Sequence, residues 1–204
     1  MRPITSRDQL RAIYKPASER AVRKELAALD RHCVDFISRS PFVLIGSSDG
    51  SGRADVTPKG DRPGFVAVLD ATTIAIPDRP GNNRLDTLEN IIDDPAVGLL
   101  FLIPGMNETL RVNGRAFVTD DEALRTRLAV EAKLPQSVIV VRVEAAYMHC
   151  AKAFMRSNLW RPDTWPDRSA MPTLGQILTD QIAGDATADA TDKALAEGYA
   201  KTMW

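Results

Sequence analysis

The sequence predicts a mainly β fold with flanking helices, a six-stranded antiparallel β-barrel in a single domain. Short segments rich in β-branched and aromatic residues, separated by Gly-, Pro- and Asp-containing turns, recur between residues 41 and 150. They do not alternate regularly with helical segments, as the strands of a parallel α/β sheet do. A chain of 204 residues, 44% of them hydrophobic, is long enough to bury one continuous core.

Taken in order, Val22, Leu26, Leu29, Cys33, Phe36 and Ile37 recur at three- and four-residue spacing, so one helix is expected from Ser18 to Arg39, ended by Pro41. PFVLIGSS and RADVTP flank the turn SDGSG and form a hairpin. FVAVLD and TTIAIP form a second one, joined at Asp70-Ala71. RLDTLENIIDDP places Leu85, Leu88, Ile91 and Ile92 on one helical face and stops at Pro95. VGLLFLI has the length and apolar character of a strand, PGMNE turns the chain, and TLRVNGRAFV continues with Gly114 as a bulge or a close approach. A helix from Glu122 to Ala132 precedes SVIVVRVEAAYMH, the longest β-branched stretch.

The remainder carries no strand signal. TLGQILTDQI and ATDKALAEGYAKTMW are amphipathic helices joined by a polar link at 185 to 192. Residues 1–204 therefore form one domain: a helical segment at 1–40, the barrel at 41–150, and a helical tail at 151–204 that packs on the barrel or on a partner subunit.

Charge narrows the function. Lys and Arg number 26 against 27 Asp and Glu, a net charge of -1 with no long block of one sign, so a nucleic-acid or membrane partner is not expected and a small molecule is. MRPITSRDQLRAIYKPASER has no apolar stretch of the secretory kind, and no apolar run is long enough to cross a bilayer; a cytoplasmic protein is expected. Cys33 and Cys150 are the only cysteines, in no chelating spacing, and are expected to be buried reduced thiols. The adjacent pairs His32-Cys33 and His149-Cys150 make poor chelates, so no metal site is expected, and neither pair carries a hydrolase signature.

Four segments can carry chemistry. In Ile76–Asp86, a strand end and turn open a helix, where backbone N–H groups with Arg79 and Arg84 suit a dianionic phosphate; a surface turn with solvated arginines fits the same residues. In Asp55–Asp61, Pro58 and Gly60 break an extended segment and expose backbone groups beside Lys59, a cation suited to a ring that gathers negative charge on reduction; an ordinary strand-end turn is the alternative. Leu110–Ala116 contributes Arg111. His149–Trp160 sets Lys152 and Arg156 four apart with Trp160 as a flat apolar surface, or simply forms a solvated basic face over a core tryptophan.

PKGDRPGFV, IPDRPGNNRLDTLENI, LRVNGRA and HCAKAFMRSNLW occur in an order that resembles a bacterial subgroup of the pyridoxamine 5'-phosphate oxidase-like proteins, over roughly residues 30 to 182. The resemblance implies a split barrel that binds flavin mononucleotide (FMN), as a homodimer with two flavin sites at the interface. It implies Pro58, Lys59 and Gly60 beside the flavin ring and Asn82, Asn83 and Arg84, with Arg79, on the phosphate side. Arg111, Lys152, Arg156 and Trp160 would complete the site. The arginine and histidine pair that grips the vitamin's phosphate in true pyridoxamine phosphate oxidases has no counterpart; the tail reads RPDTWPDRSAMP instead. The expected function is an FMN-dependent oxidoreductase acting on another small molecule. A flavin- or haem-binding carrier or sensor without turnover, and a deazaflavin-dependent reductase, are the alternatives.

Overall fold

The computed structural model describes residues 1–182, 184 and 186–203. Helices α1 (Arg7–Ile13), α2 (Glu19–Arg23) and α3 (Arg31–Arg39) precede strands β1 (Phe42–Ser48), β2 (Ala54–Gly60), β3 (Ala67–Asp70) and β4 (Thr73–Pro77). Helix α4 (Asp86–Asp93) leads to β5 (Ala96–Leu102) and β6 (Thr109–Thr119), then α5 (Glu122–Arg127) to β7 (Val138–His149). Helices α6 (Lys152–Ser157), α7 (Leu174–Gln181) and α8 (Ala188–Thr202) form the tail. The strands make one antiparallel sheet in the order β2-β1-β5-β6-β7-β4-β3.

Alternate residues of β1, β4, β5, β6 and β7 face one core, while Ala75, Val138 and Val140 on the other face of β4 and β7 make a smaller cluster with Leu128. Val43 and Ile45 of β1, near one end of the sheet, share a buried cluster with Ile74 and Ile76 of β4, near the other end, so the sheet curls upon itself. Phe101 and Ile37 lie fully buried in the same cluster, α3 supplying the plug. Each such side chain contributes about 1.5–3 kcal/mol by leaving water. No ladder joins β2 to β3 or β4, and the barrel stays split along that seam.

Seven strands form where a six-stranded barrel was expected; each falls on a segment that the sequence marks as a strand, and β3 and β4 make the second hairpin through Ala67↔Ala75 and Val68↔Ile74. The single helix expected from Ser18 to Arg39 is two. Leu26 exchanges backbone hydrogen bonds with Ala146 at 3.0 and 2.8 Å, and Asp30 starts α3 by accepting from the N–H groups of His32 and Cys33 at 3.0 and 2.9 Å. Periodicity alone does not register either event. On α4 the buried positions are Thr87 and Ile91, whereas Leu85 and Ile92 are exposed, since Ile92 lies a hundred degrees round the helix from Ile91. Helix α5 stops at Arg127, and Glu131 and Ala132 adopt positive φ instead of continuing to Ala132.

Gly114 is the bulge the sequence suggests. The β6·β7 register slips between Asn113 and Gly114, and a Cβ on Gly114 would lie 2.0 Å from the Arg142 carbonyl oxygen. In the tail, α8 begins at Ala188 with Thr187 as its cap, so the polar link is shorter than expected; its Asp185 lies outside the described residues. Among the described residues no helix is long and apolar enough to cross a membrane.

Candidate functional site

Strand β2 runs along the seam, which is why its ladder tolerates Pro58, paired with Leu44 on one side only. Its alternation leaves Pro58 and Gly60 exposed and Lys59 half-buried. Across the seam β4 ends at Pro77, and the chain loops through Asp78–Leu85 into α4. Two ion pairs close the gap that no ladder spans. Lys59 Nζ lies 2.6 Å from Asp78 Oδ1, and Arg79 Nε donates to Asp61 Oδ2 at 2.7 Å.

The loop is shaped by its asparagines. Asn82 Oδ1 accepts from the Arg84 N–H at 3.0 Å, and Asn83 takes a left-handed conformation with φ 58°, which Asn tolerates better than most residues. Arg84 then projects into solvent, 72% exposed, with its Nε 2.9 Å from Asp86 Oδ2. Its pKa is raised, first by that hydrogen bond and then by the Asp86 charge. No side chain caps the start of α4, so its first amides are not claimed by a capping group. Asp86 and Glu89 in the first turn offset part of the positive end of the helix.

Between these segments lies a cleft of about 670 Å³ lined by Pro58, Lys59 and Gly60, by Arg79, Asn82, Asn83 and Arg84, and by Gln136 and Tyr199. The two segments singled out in the sequence, some twenty residues apart, therefore meet. Lys59 and Arg79 are each committed to a carboxylate. The Arg84–Asp86 pair is exposed, where such a pair is worth little, so Arg84 is the cation most readily turned toward an incoming anion.

The remaining sequence candidates lie outside this cleft. Arg111 donates to the Tyr147 hydroxyl at 3.0 Å and stacks over its ring, and it borders a separate groove of about 320 Å³ beside Leu44, Val56 and Leu100. Lys152 and Arg156 are exposed on α6, where Arg156 Nε donates to the Lys152 carbonyl. Trp160 stacks on Phe154 and donates from Nε1 to the Met106 carbonyl at 2.7 Å. Sequence reasoning missed Asp61, Asp78, Gln136 and Tyr199. Both aspartates stand inside the segments it singled out, but pairing across a seam leaves no local signal.

Cys33 is buried in the core, as expected, and burial, with the Asp30 carboxylate second, pushes its thiol up to about 11. Cys150 is exposed, against expectation, because β7 ends at His149 and the chain turns outward into α6. Burial first, then the charges of Arg111 and Lys24, hold the His149 imidazole below its usual range. Among the described residues no three His, Cys, Asp or Glu side chains gather as a metal-binding group.

The family model for pyridoxamine 5'-phosphate oxidase matches residues 29–150, from the residue before the Asp30 cap to the residue after β7. Among solved structures the chain is similar to HupZ of Group A Streptococcus, at 18% identity over 59% of this chain and 93% of that one, TM-score 0.49. It is also similar to an FMN-binding protein from Syntrophomonas wolfei, at 9% identity over 59% and 88% of the two chains, TM-score 0.46. A third, the FAD binding protein from Mycobacterium smegmatis, has 14% identity over 60% and 98%, TM-score 0.40. No curated protein matches the chain significantly.

Proposed function

Because the chain belongs to the pyridoxamine 5'-phosphate oxidase family, we propose that it binds FMN in the cleft between β2 and α4 and uses it to oxidise or reduce a small organic molecule. The observation that carries this reading is the meeting of Pro58–Gly60 with Arg79–Arg84 in one polar cleft, both segments lying inside the matched range.

The donor set suits the cofactor. Arg84, freed from its exposed pair with Asp86, and the uncapped amides at the start of α4 suit a phosphate, while Asn82 and Asn83 hold the turn that presents them. Pro58 and Gly60 offer exposed backbone at the ring side. Lys59, fixed by Asp78, sets a cation there at a constant position. Bound flavin would supply hydride and electron transfer, and the chain itself binds and orients it.

In this reading the molecule is a homodimer with Arg111, Lys152, Arg156 and Trp160 serving a site shared with a second copy. Light scattering on the flavin-loaded protein should give twice the chain mass, and a monomer would remove these residues from the site.

Calorimetry tests the phosphate assignment. FMN should bind about tenfold or more tightly than riboflavin, the effect of one or two charge-assisted hydrogen bonds. Equal affinities would leave Arg84 and the α4 start without a ligand.

A further inference from the structure

The polar cleft adjoins a second, larger cavity of about 980 Å³ whose walls are mainly apolar. Its near wall is Gly60–Arg62 and Arg79–Asn82, and its far wall is α8, from Thr191 through Ala194, Leu195 and Gly198 to Thr202. Those positions recur at three and four residues and so share one helical face. Tyr199, Arg79 and Asn82 border both cavities and form the partition between them.

The far wall comes from the tail, beyond the range that the family model matches. It is held by a close crossing of α7 and α8. The Gly175 N–H donates to Asp192 Oδ1 at 2.7 Å, and a Cβ on Gly175 would lie 2.5 Å from the Ala188 carbonyl oxygen. The charged residues of the chamber are Asp61, Arg62 and Arg79. Each is already engaged: Asp61 with Arg79 at 2.7 Å, and Arg62 with Glu131 at 2.6 Å.

A phosphate or carboxylate binding beside Arg79 would have to draw it from Asp61 and leave a buried carboxylate without its counter-charge, which is strongly unfavourable, whereas Arg62, 62% exposed in its pair with Glu131, meets an anion only at the solvent edge of the chamber. An uncharged molecule meets apolar wall on α8 and loses nothing. We infer that this cavity is the substrate chamber and that it takes an uncharged, largely apolar molecule, not a phosphorylated one. Its redox role rests on the flavin reading above; its binding preference does not.

The test uses the full chain, with and without FMN, and two probes: Nile red, an uncharged dye, and pyridoxine 5'-phosphate. Nile red should bind saturably, and pyridoxine 5'-phosphate should not compete with it. Ala194→Arg and, at the other end of the same face, Thr202→Lys should each weaken dye binding about tenfold or more, with the melting temperature and the FMN titration unchanged. Competition by pyridoxine 5'-phosphate, or dye binding indifferent to both variants, would overturn the inference. The FMN titration is read separately by flavin fluorescence. If FMN fails to bind while the dye and variants behave as stated, the chamber stands and the flavin assignment falls. If FMN binds and neither variant moves the dye, the chamber alone falls.

Discussion

Asp61 has a side chain only 1% exposed, and Arg79 Nε donates to its Oδ2 at 2.7 Å across the seam of the barrel. A carboxylate so far from water needs a counter-charge, so Arg79 serves the fold before it serves any ligand. Together with Lys59 and Asp78 it ties the end of β2 to the end of β4 where backbone hydrogen bonding stops.

Arg79→Ala should therefore destabilise the protein by about 3 kcal/mol, since it leaves the buried Asp61 carboxylate without a counter-charge, with only the Arg62 N–H still donating to it. Asp61→Asn combined with it should recover part of the loss, giving a coupling energy of about 1–3 kcal/mol in a double-mutant cycle. Urea unfolding of the four proteins measures this, and additive effects would mean that the pair does not close the seam.

Arg84 stands at the opposite extreme, 72% exposed with a partner two residues away. Arg84→Ala should leave the unfolding free energy within about 0.5 kcal/mol of the parent. The same change should weaken FMN by about tenfold or more and leave riboflavin affinity unchanged. A loss of stability comparable to that of the Arg79 variant would make Arg84 a structural residue.

The bulge at Gly114 makes a sharper demand on packing. An alanine methyl there would sit 2.0 Å from the Arg142 carbonyl oxygen, a backbone atom that cannot rotate away. Gly114→Ala should cost roughly 3 kcal/mol, at the upper end of overpacking. Gly98→Ala, with its nearest neighbour Asn113 Oδ1 at 3.5 Å, is the control and should cost less than about 1 kcal/mol. Equal midpoints in urea would show that β7 shifts to accommodate the methyl.

The two cysteines should behave differently. The Cys33 thiol is raised from 9.0 to about 11 by burial, so the folded state keeps a proton that the unfolded chain releases. Its stabilising contribution is complete below pH 9 and disappears as pH rises toward about 11, a loss of roughly 2–3 kcal/mol that Cys33→Ala should abolish. The difference between wild type and variant across that window isolates the thiol from other alkaline titrations. Ellman's reagent should modify Cys150 promptly in the native protein and Cys33 only on unfolding.

The strands and hairpins were legible because a two-residue period and Gly-, Pro- and Asp-containing turns are local signals. Where the structure departs from expectation, a tertiary partner intervenes: Ala146 takes the backbone groups of Leu26 and breaks an apparently continuous helix. The cleft was half legible. Pro58–Gly60 and Arg79–Arg84 announced themselves by turn residues beside cations, but the carboxylates that neutralise Lys59 and Arg79 act across the seam. Tyr199 was hidden for the same reason, since nothing in α8 says which surface its face meets.

Whether this cleft holds FMN is decided by the visible spectrum of the protein purified without added cofactor, with mass spectrometry of whatever denaturation releases. A flavin spectrum is expected, or one gained stoichiometrically on titration with FMN, and a released species with the mass of FMN. A haem or deazaflavin spectrum, or a chain that takes up no FMN at micromolar concentration, would contradict it.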